Sequence, residues 1–368
     1  MKISIGAKFI EGPFGGGNEF IKNLGIAFEK DGHIVVNNLK DRDIDIIFLI
    51  NPLIDSEIST FNNYDIDYYL AFKNSGALTI QRINECDERK NTTNINKKLI
   101  RFNKNIDLNI FVSDWLKKIF LDQGIKNKKS LVMKGGPSKI LFKSQAVSKL
   151  PLSSKIKIVT HHWSGNVMKG LKTYEKLDKI LYNQEFNKRF EFTYIGNISH
   201  NHQLKNTKIL KPLNGTKLTT ELKKHHIYIT GSINEPSGNH HMEAAMLGLP
   251  ILYLNSGGTP EFCKEYGVEF NEDNLSQKLI EIVEKYDQLT LSLKDYPYSF
   301  EKAYESLNLF LKEVLTNKYD IISKRKFPTK IEVILLKIYS SVKKVCFKVF
   351  VLTKVKLGNL KNSVHSIK

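Results

Sequence analysis

The chain has 368 residues, of which 41% are hydrophobic and 26% are charged. This length predicts two domains, and the apolar content is enough for packed cores, which excludes a disordered or fibrous chain. The formal net charge is +18, but the segment 324–368 alone contains twelve basic residues and one acidic residue, so the charge describes a tail and not the basic cleft of a nucleic-acid enzyme.

The first half of the chain alternates apolar runs with helical patterns. The apolar runs are ISIGAKFI, DIIFLI, ALTIQRI and LNIFVS, and the helical patterns include NEFIKNLGIAFEKDG and SDWLKKIFLDQG. Ser113 is a predicted N-cap, and Gly32 and Gly124 follow two predicted helix ends. This rhythm predicts a parallel sheet flanked by helices over residues 1–148.

Two Asp-x-Asp triplets in this half raise the question of a metal site. They are formed by Asp43 with Asp45 and by Asp65 with Asp67. Both triplets precede apolar runs, whereas ligands of open α/β sheets gather after the strands. We therefore expect solvated turn carboxylates and no catalytic metal.

A second set of strand and helix patterns begins after the polar stretch SQAVSKLPLSSK. The strands are KIKIVTHH, FEFTYIGN, HHIYIT and PILYL. A second Rossmann-like sheet is therefore predicted over residues 149–300. The pattern from Ser299 to Thr316 predicts a terminal helix, and residues 301–323 are expected to return toward the first domain.

The basic tail, residues 324–368, has helical periodicity. A helix would place Lys330, Lys337, Ser341, Lys344 and Lys348 on one face, with aliphatic residues over much of the remainder. We predict an amphipathic helix that lies on an anionic membrane surface without spanning it. The alternative is a helix that packs on the protein's own body or on a partner.

The segment HIYITGSINEPSGNHHMEAAMLGLPILYL reads as strand, loop, helix and strand. Glu235 lies in the loop, and Glu243 lies eight positions on, near the start of the helix. Both carboxylates can reach the crevice outside the strand ends, where helix amides favour an anion such as diphosphate. Two glutamates with this spacing on a surface helix would be the alternative, but the flanking Pro236, Gly238 and GLP favour a functional site.

This segment resembles the Glu-x7-Glu signature of retaining glycosyltransferases of family 4, which have the GT-B fold of two Rossmann-like domains facing a cleft. The resemblance implies that Glu235 approaches the donor sugar and that Glu243 holds the ribose. It also implies a donor site at the following helix start and at NSGGTPEF. The donor-binding residues there are Gly238, Asn239, Gly257, Gly258 and Thr259.

Three further segments are similar to the same family. THHWSGNVMKGLKTYEKL places Lys169 and His162 at the donor diphosphate, although the family's arginine is missing. The glycine loop of FIEGPFGGGNEF places Gly16 and Gly17 beside the donor and Asn18 on the acceptor side. ALTIQRINECDERK clusters Arg82 and Asn84, interpreted as catalytic, with Asp87 on the acceptor side. For the first segment the alternatives are a solvated lysine and a structural histidine pair. For the glycine loop the alternative is a plain turn, and for the Arg82 segment it is a salt-bridged loop.

The resemblance implies a glycosyltransferase that transfers a hexose from a nucleotide sugar, with retention and with no metal or other cofactor. The abundance of Lys, Asn and Ile is typical of an AT-rich bacterial genome, so the expected acceptor is a glycan or lipid-linked glycan of lipopolysaccharide, O-antigen or capsule assembly. Three widely spaced cysteines and no signal-peptide pattern predict a cytoplasmic protein on the inner face of the membrane. Alternatives are an inverting transferase, a sugar-nucleotide epimerase and a non-catalytic glycan-binding relative.

Overall fold

The computed structural model describes residues 1–8, 16–52, 58–126, 128–142, 149–151, 153–198 and 202–365. It contains two six-stranded sheets in which all neighbouring strands are parallel, as the sequence predicts. The Asp43 and Arg82 segments belong to the first sheet, and the Glu235 segment belongs to the second.

The first sheet has the strand order β2-β1-β3-β4-β5-β6. Its strands are β1 (Lys2–Ile5), β2 (Ile34–Val36), β3 (Ile46–Leu49), β4 (Leu78–Ile83), β5 (Leu108–Phe111) and β6 (Ser130–Val132). Its helices are α1 (Gly16–Lys30), α2 (Asn63–Phe72), α3 (Asp87–Lys90), α4 (Ile95–Phe102) and α5 (Asp114–Asp122). Ser113 caps α5 through the amide of Leu116, and Gly32 and Gly124 have positive φ angles beyond helix ends, which confirms these predictions.

The second sheet has the order β12-β11-β10-β7-β8-β9. Its strands are β7 (Ile156–His162), β8 (Phe190–Gly196), β9 (Thr207–Leu210), β10 (Ile227–Thr230), β11 (Ile251–Leu254) and β12 (Gly267–Phe270). Its helices are α6 (Leu171–Ile180), α7 (Gln184–Arg189), α8 (Gly215–Leu222), α9 (Asn239–Met246), α10 (Thr259–Cys263), α11 (Leu275–Glu284) and α12 (Tyr286–Ser292). Helices cover both faces, as expected where strands are buried on both sides.

Three helices end the chain: α13 (Phe300–Thr316), α14 (Lys318–Ser323) and α15 (Lys330–His365). Helix α13 returns to the first sheet, where Leu307, Leu311 and Val314 are buried in one core with Ile3 and Ile5. Arg325 follows α14 and binds Asp107 beside β5. The segment that follows the second domain therefore packs on the first domain and forms an ion pair with it.

The structure corrects one prediction about the aspartates. Asp65 and Asp67 are not turn carboxylates, because both are buried within helix α2. Asn62 and Asp65 form a capping box at its first turn. Asp65 also binds Lys337 and Lys344 of α15, so these two tail lysines contact the protein's own body.

Helix α15 packs against α2 through one side. Val333 and Ser340 are buried there, and Ser340 accepts a hydrogen bond from Asn62. Over the described residues, no helix combines the length and the apolarity needed to cross a membrane.

Candidate active site

The candidate site lies at the carboxyl ends of β7, β10 and β11. Glu235 is in the loop after β10, and its neighbour Asn234 adopts a left-handed conformation with a φ of 49°. The Glu235 carbonyl accepts a hydrogen bond of 2.8 Å from the amide of Gly258, and the amide of Asn234 donates to Ser256. A side chain at Gly257 would collide with the Glu235 nitrogen, so the turn after β11 closely supports this loop.

The carboxylate of Glu235 is buried and receives two cations. The Lys169 Nζ lies 2.9 Å from its Oε2, and the Arg89 Nη2 lies 3.0 Å from the same oxygen. Burial alone would raise the pKa of Glu235, but the charges of Lys169 and Arg89 outweigh burial and lower it. Glu235 is thus held as an anion between two cations.

Lys169 is positioned by close backbone packing between two loops. It ends a short 3-10 turn, Val167–Lys169, and Gly170 follows with a φ of 92°. A side chain at Gly170 would overlap the backbone of Gly231, so the loop after β7 lies directly on the loop after β10. This packing brings Lys169 to Glu235.

Glu243, on α9, forms a second pair beside the first. Its Oε2 lies 2.6 Å from the Nε2 of His161, whose Nδ1 lies 3.2 Å from the Tyr228 hydroxyl. The Glu243 side chain is 16% exposed, compared with 8% for Glu235. It is therefore the more accessible of the two carboxylates.

Neutral, buried histidines also belong to this region. Burial lowers the pKa of His162, His240 and His241, the last to about 4. His162 binds the Tyr174 hydroxyl at 2.5 Å, inside its own domain. Both ring nitrogens of His241 and the Thr259 hydroxyl are buried without a hydrogen-bond partner. These buried atoms therefore keep unused hydrogen-bonding capacity.

The structure gathers most of the predicted donor-binding residues at this edge. Gly238 is the N-cap position of α9 and Asn239 is its first residue, while Gly258 and Thr259 begin α10. The first domain supplies the opposite side through residues that follow β4. These residues include Arg89, which the sequence-based prediction missed.

The other predicted residues of the first domain have varied surroundings. Arg82 stacks 4.0 Å from the centre of the Phe20 ring, with its Nη1 unpaired, and burial lowers its pKa to about 10. Asp87 accepts hydrogen bonds from Thr92 and from the amides that begin α4. The residues that remain are Asn84 beyond β4, and Gly16, Gly17 and the largely buried Asn18 at the start of α1. The loop that precedes them lies outside the described residues.

Several contacts close the two domains over the site. Arg89 also donates to the carbonyls of Met168 at 2.9 Å and Ile233 at 3.0 Å. Asn234 donates to the Glu88 carbonyl. Farther along the cleft, Glu261 of α10 accepts from two amides that begin α5, and it pairs with Lys134. Among the described residues, no group of histidine, cysteine or carboxylate side chains has an arrangement that could hold a metal ion.

A comparison with protein-family models matches part of this chain. Residues 188–296 match the family model "Glycosyl transferases group 1". This segment contains Glu235, Glu243 and the Gly257–Thr259 turn, whereas Lys169 and Arg89 lie before it. A comparison with curated protein sequences gives no match.

The fold is similar to several known structures. A sucrose-phosphate synthase from Thermosynechococcus elongatus superposes with a TM-score of 0.61 at 12% identity, over 86% of this chain and 99% of that chain. The Anabaena protein HepE in complex with UDP gives 0.62 at 12% identity, over 85% and 99%. A Rickettsia africae glycosyltransferase gives 0.55 at 16% identity, over 88% and 98%. At these identities the likeness establishes the fold, which is GT-B.

Proposed function

We propose that this protein, which is a glycosyltransferase with the GT-B fold, transfers a sugar from a nucleotide-sugar donor to a glycan or lipid-linked glycan in bacterial surface-polysaccharide assembly. The observation that carries the donor assignment is the buried Glu235–Lys169 pair beside the start of α9. HepE has been crystallised with UDP and with UDP-glucose, so uridine diphosphate sugars are the first donors to test.

The proposed reaction uses the cations and helix amides of the site. The bond between the anomeric carbon and the diphosphate oxygen breaks, and its electron pair stays on the diphosphate. The acceptor hydroxyl oxygen forms the new bond on the same face of the sugar, and its proton passes to a phosphate oxygen. Lys169 and the amides of α9 stabilise the leaving charge, so we expect transfer without a divalent ion.

The roles of the two glutamates differ in this proposal. Glu235 contacts the donor sugar. Glu243 gives up its contact with His161 and binds the ribose hydroxyls instead. The acceptor lies against the first domain near Arg82 and Asn84, where the unpaired Nη1 of Arg82 can donate to a sugar hydroxyl. Transfer with retention follows the family resemblance and remains part of the proposal.

The test measures donor binding and transfer with UDP-sugars in matched variants. Glu243→Ala should weaken donor binding about tenfold, while Glu235→Gln should lower kcat by roughly a hundredfold with smaller effects on binding. Lys169→Ala should lower transfer by about tenfold or more. The exposed Glu284 of α11 provides a control, and Glu284→Ala should leave binding and transfer unchanged.

Three results would contradict parts of this proposal. Wild-type kinetics in both Glu235 and Glu243 variants would refute the site. Activity that depends strictly on manganese would refute charge stabilisation by protein cations alone. A product of inverted anomeric configuration would refute retention while leaving the donor site intact.

We further propose that α15 holds the enzyme on an anionic membrane surface. Its outward side carries a stripe of exposed aliphatic side chains at helical spacing, each more than half exposed. The stripe consists of Ile331, Leu335, Ile338, Val342, Val345 and Val349. At 1.5 Å per residue this stripe is about 27 Å long, a shape suited to lying in the plane of a bilayer interface.

Charge plays a smaller part in this attachment than the sequence pattern suggests. Lys337 and Lys344 are bound to Asp65, whereas Lys330 and Lys343 are exposed beside the stripe. Lysines near an anionic leaflet add about 1 kcal/mol each. We therefore expect salt to weaken binding without abolishing it, because the aliphatic stripe supplies the rest.

The membrane test uses two substitutions on the stripe and one control. Leu335→Gln with Val342→Gln should reduce co-sedimentation with vesicles containing phosphatidylglycerol by about tenfold. Leu309→Gln, on the equally exposed Leu309 of α13, should have no effect. Equal pelleting of both variants would refute the surface, and a dimer lost only in the double variant would reassign the stripe to a second copy.

A further inference from the structure

Arg89 extends from the first domain into the donor site of the second. Its side chain is 10% exposed, and the three contacts of its guanidinium are to Glu235, Met168 and Ile233 across the cleft. The next residue on α3, Lys90, instead pairs with Glu85 in its own domain and is 43% exposed. Arg89 therefore points into the site because α3 follows the end of β4 and because the two domains are closed against each other.

The charges around Glu235 do not balance. Lys169 and Arg89 share a single oxygen of one carboxylate, and the other partners of Arg89 are uncharged carbonyls. The adjoining histidines are neutral, because their pKa values are lowered. Lys169, Arg89 and Glu235 together thus carry an excess positive charge in a mostly buried position. An uncompensated buried charge is unfavourable and favours binding of an anion.

The position of this excess charge matches the position expected for a diphosphate. The first residues of α9 begin beside Glu235, and the free amides of a helix start add partial positive charge. A guanidinium has a planar set of donors that fits phosphate oxygens, which a lysine ammonium cannot reproduce. Lys169 approaches from the second domain and Arg89 from the first.

We propose that Arg89 is a ligand of the donor diphosphate, and that it works with Lys169 from the opposite wall of the cleft. This inference rests on the proposed donor site. When the donor binds, the diphosphate takes over the guanidinium from Glu235, which frees the carboxylate to contact the sugar. As the bond to the anomeric carbon breaks, Arg89 and Lys169 share the charge that develops on the leaving diphosphate. Because Arg89 comes from the first domain, donor binding also holds the cleft closed.

The test compares nucleoside diphosphates with monophosphates on the full-length protein. Calorimetry with UDP and UMP, and in parallel with ADP, AMP, GDP and GMP, identifies the bound base and the gain due to the second phosphate. Arg89→Ala should weaken the binding of the diphosphate by at least tenfold and the binding of the monophosphate by less than threefold. Arg89→Lys should retain part of the difference, and Lys90→Ala should behave as the wild type.

Transfer rates provide a second readout. We expect kcat to fall by roughly a hundredfold in Arg89→Ala, with partial rescue in Arg89→Lys. Thermal unfolding of each variant, measured without ligand, verifies that it is folded.

Three outcomes would overturn the inference, and they can be told apart. If Arg89→Ala weakens UDP and UMP equally, Arg89 acts only through domain packing and is not a diphosphate ligand. If the wild-type protein binds none of the nucleotides, the donor site itself is wrong. Unchanged binding of both UDP and UMP in Arg89→Ala would refute any role of Arg89 in donor binding while the donor site stands.

Discussion

Replacing Arg325 by alanine should strongly destabilise the protein, although Arg325 lies far from the site. Its side chain is 1% exposed and that of Asp107 is 2% exposed. The guanidinium binds both oxygens of Asp107, at 2.8 and 2.5 Å, and also donates to the carbonyls of Ser75 and Ala77. Arg325 thereby joins the segment before α15 to the first sheet.

The expected magnitude follows from the group that is left behind. In Arg325→Ala the Asp107 carboxylate keeps, among the described residues, hydrogen bonds from Thr79 alone, and the carbonyls of Ser75 and Ala77 lose a donor. Removing one partner of a buried ion pair costs about 3 to 5 kcal/mol. Urea unfolding should show this loss in the free energy of unfolding, and the Tm should fall by about 6 to 20 °C.

The neighbouring residue supplies a matched control. Lys324 pairs with Asp320, but both side chains are largely exposed, at 71% and 65%. Lys324→Ala should therefore change the free energy of unfolding by less than about 1 kcal/mol. A loss below about 1 kcal/mol in Arg325→Ala as well would refute the argument that burial makes this pair important.

Two further predictions concern the pH dependence of folding. Burial raises the pKa of Asp67 to about 6, so the ionised form is disfavoured in the folded protein and stability is lost as pH rises through 6. Asp67→Asn should therefore gain stability relative to the wild type by roughly 2 kcal/mol between pH 4.5 and pH 8, and a pH-independent effect would contradict the shift. His241 has the opposite dependence: its folded pKa of about 4 lies below the unfolded value, so stability is lost as pH falls below 6.5. Urea unfolding at pH 7.5 and 5.5 should show a drop that is smaller by about 1.4 kcal/mol in His241→Phe than in the wild type, and an equal drop in both would contradict the shift.

The sequence by itself determined the repeating architecture. Apolar runs and helical periodicity are local properties, and they correctly predicted two parallel sheets, the cap at Ser113 and the glycines beyond α1 and α5. The Glu235 loop could be found in the same way, because strand, loop and helix are consecutive in the chain. The spacing of Glu235 and Glu243 also predicted that both lie at the ends of the strands.

Only the tertiary structure decided which distant groups meet. Nothing local to α3 indicates that Arg89 crosses the cleft to Glu235, and nothing in Asp65 indicates that two tail lysines bind it. The sequence predicts a turn at Asp65 because its triplet precedes an apolar run, but Asp65 lies within α2 and α15 covers it. The periodicity of α15 fixes which residues share a side, while the packing on α2 decides which side is exposed. Such contacts depend on how the two domains and the last helix pack, and that packing is set by the summed burial of many residues far apart in the chain.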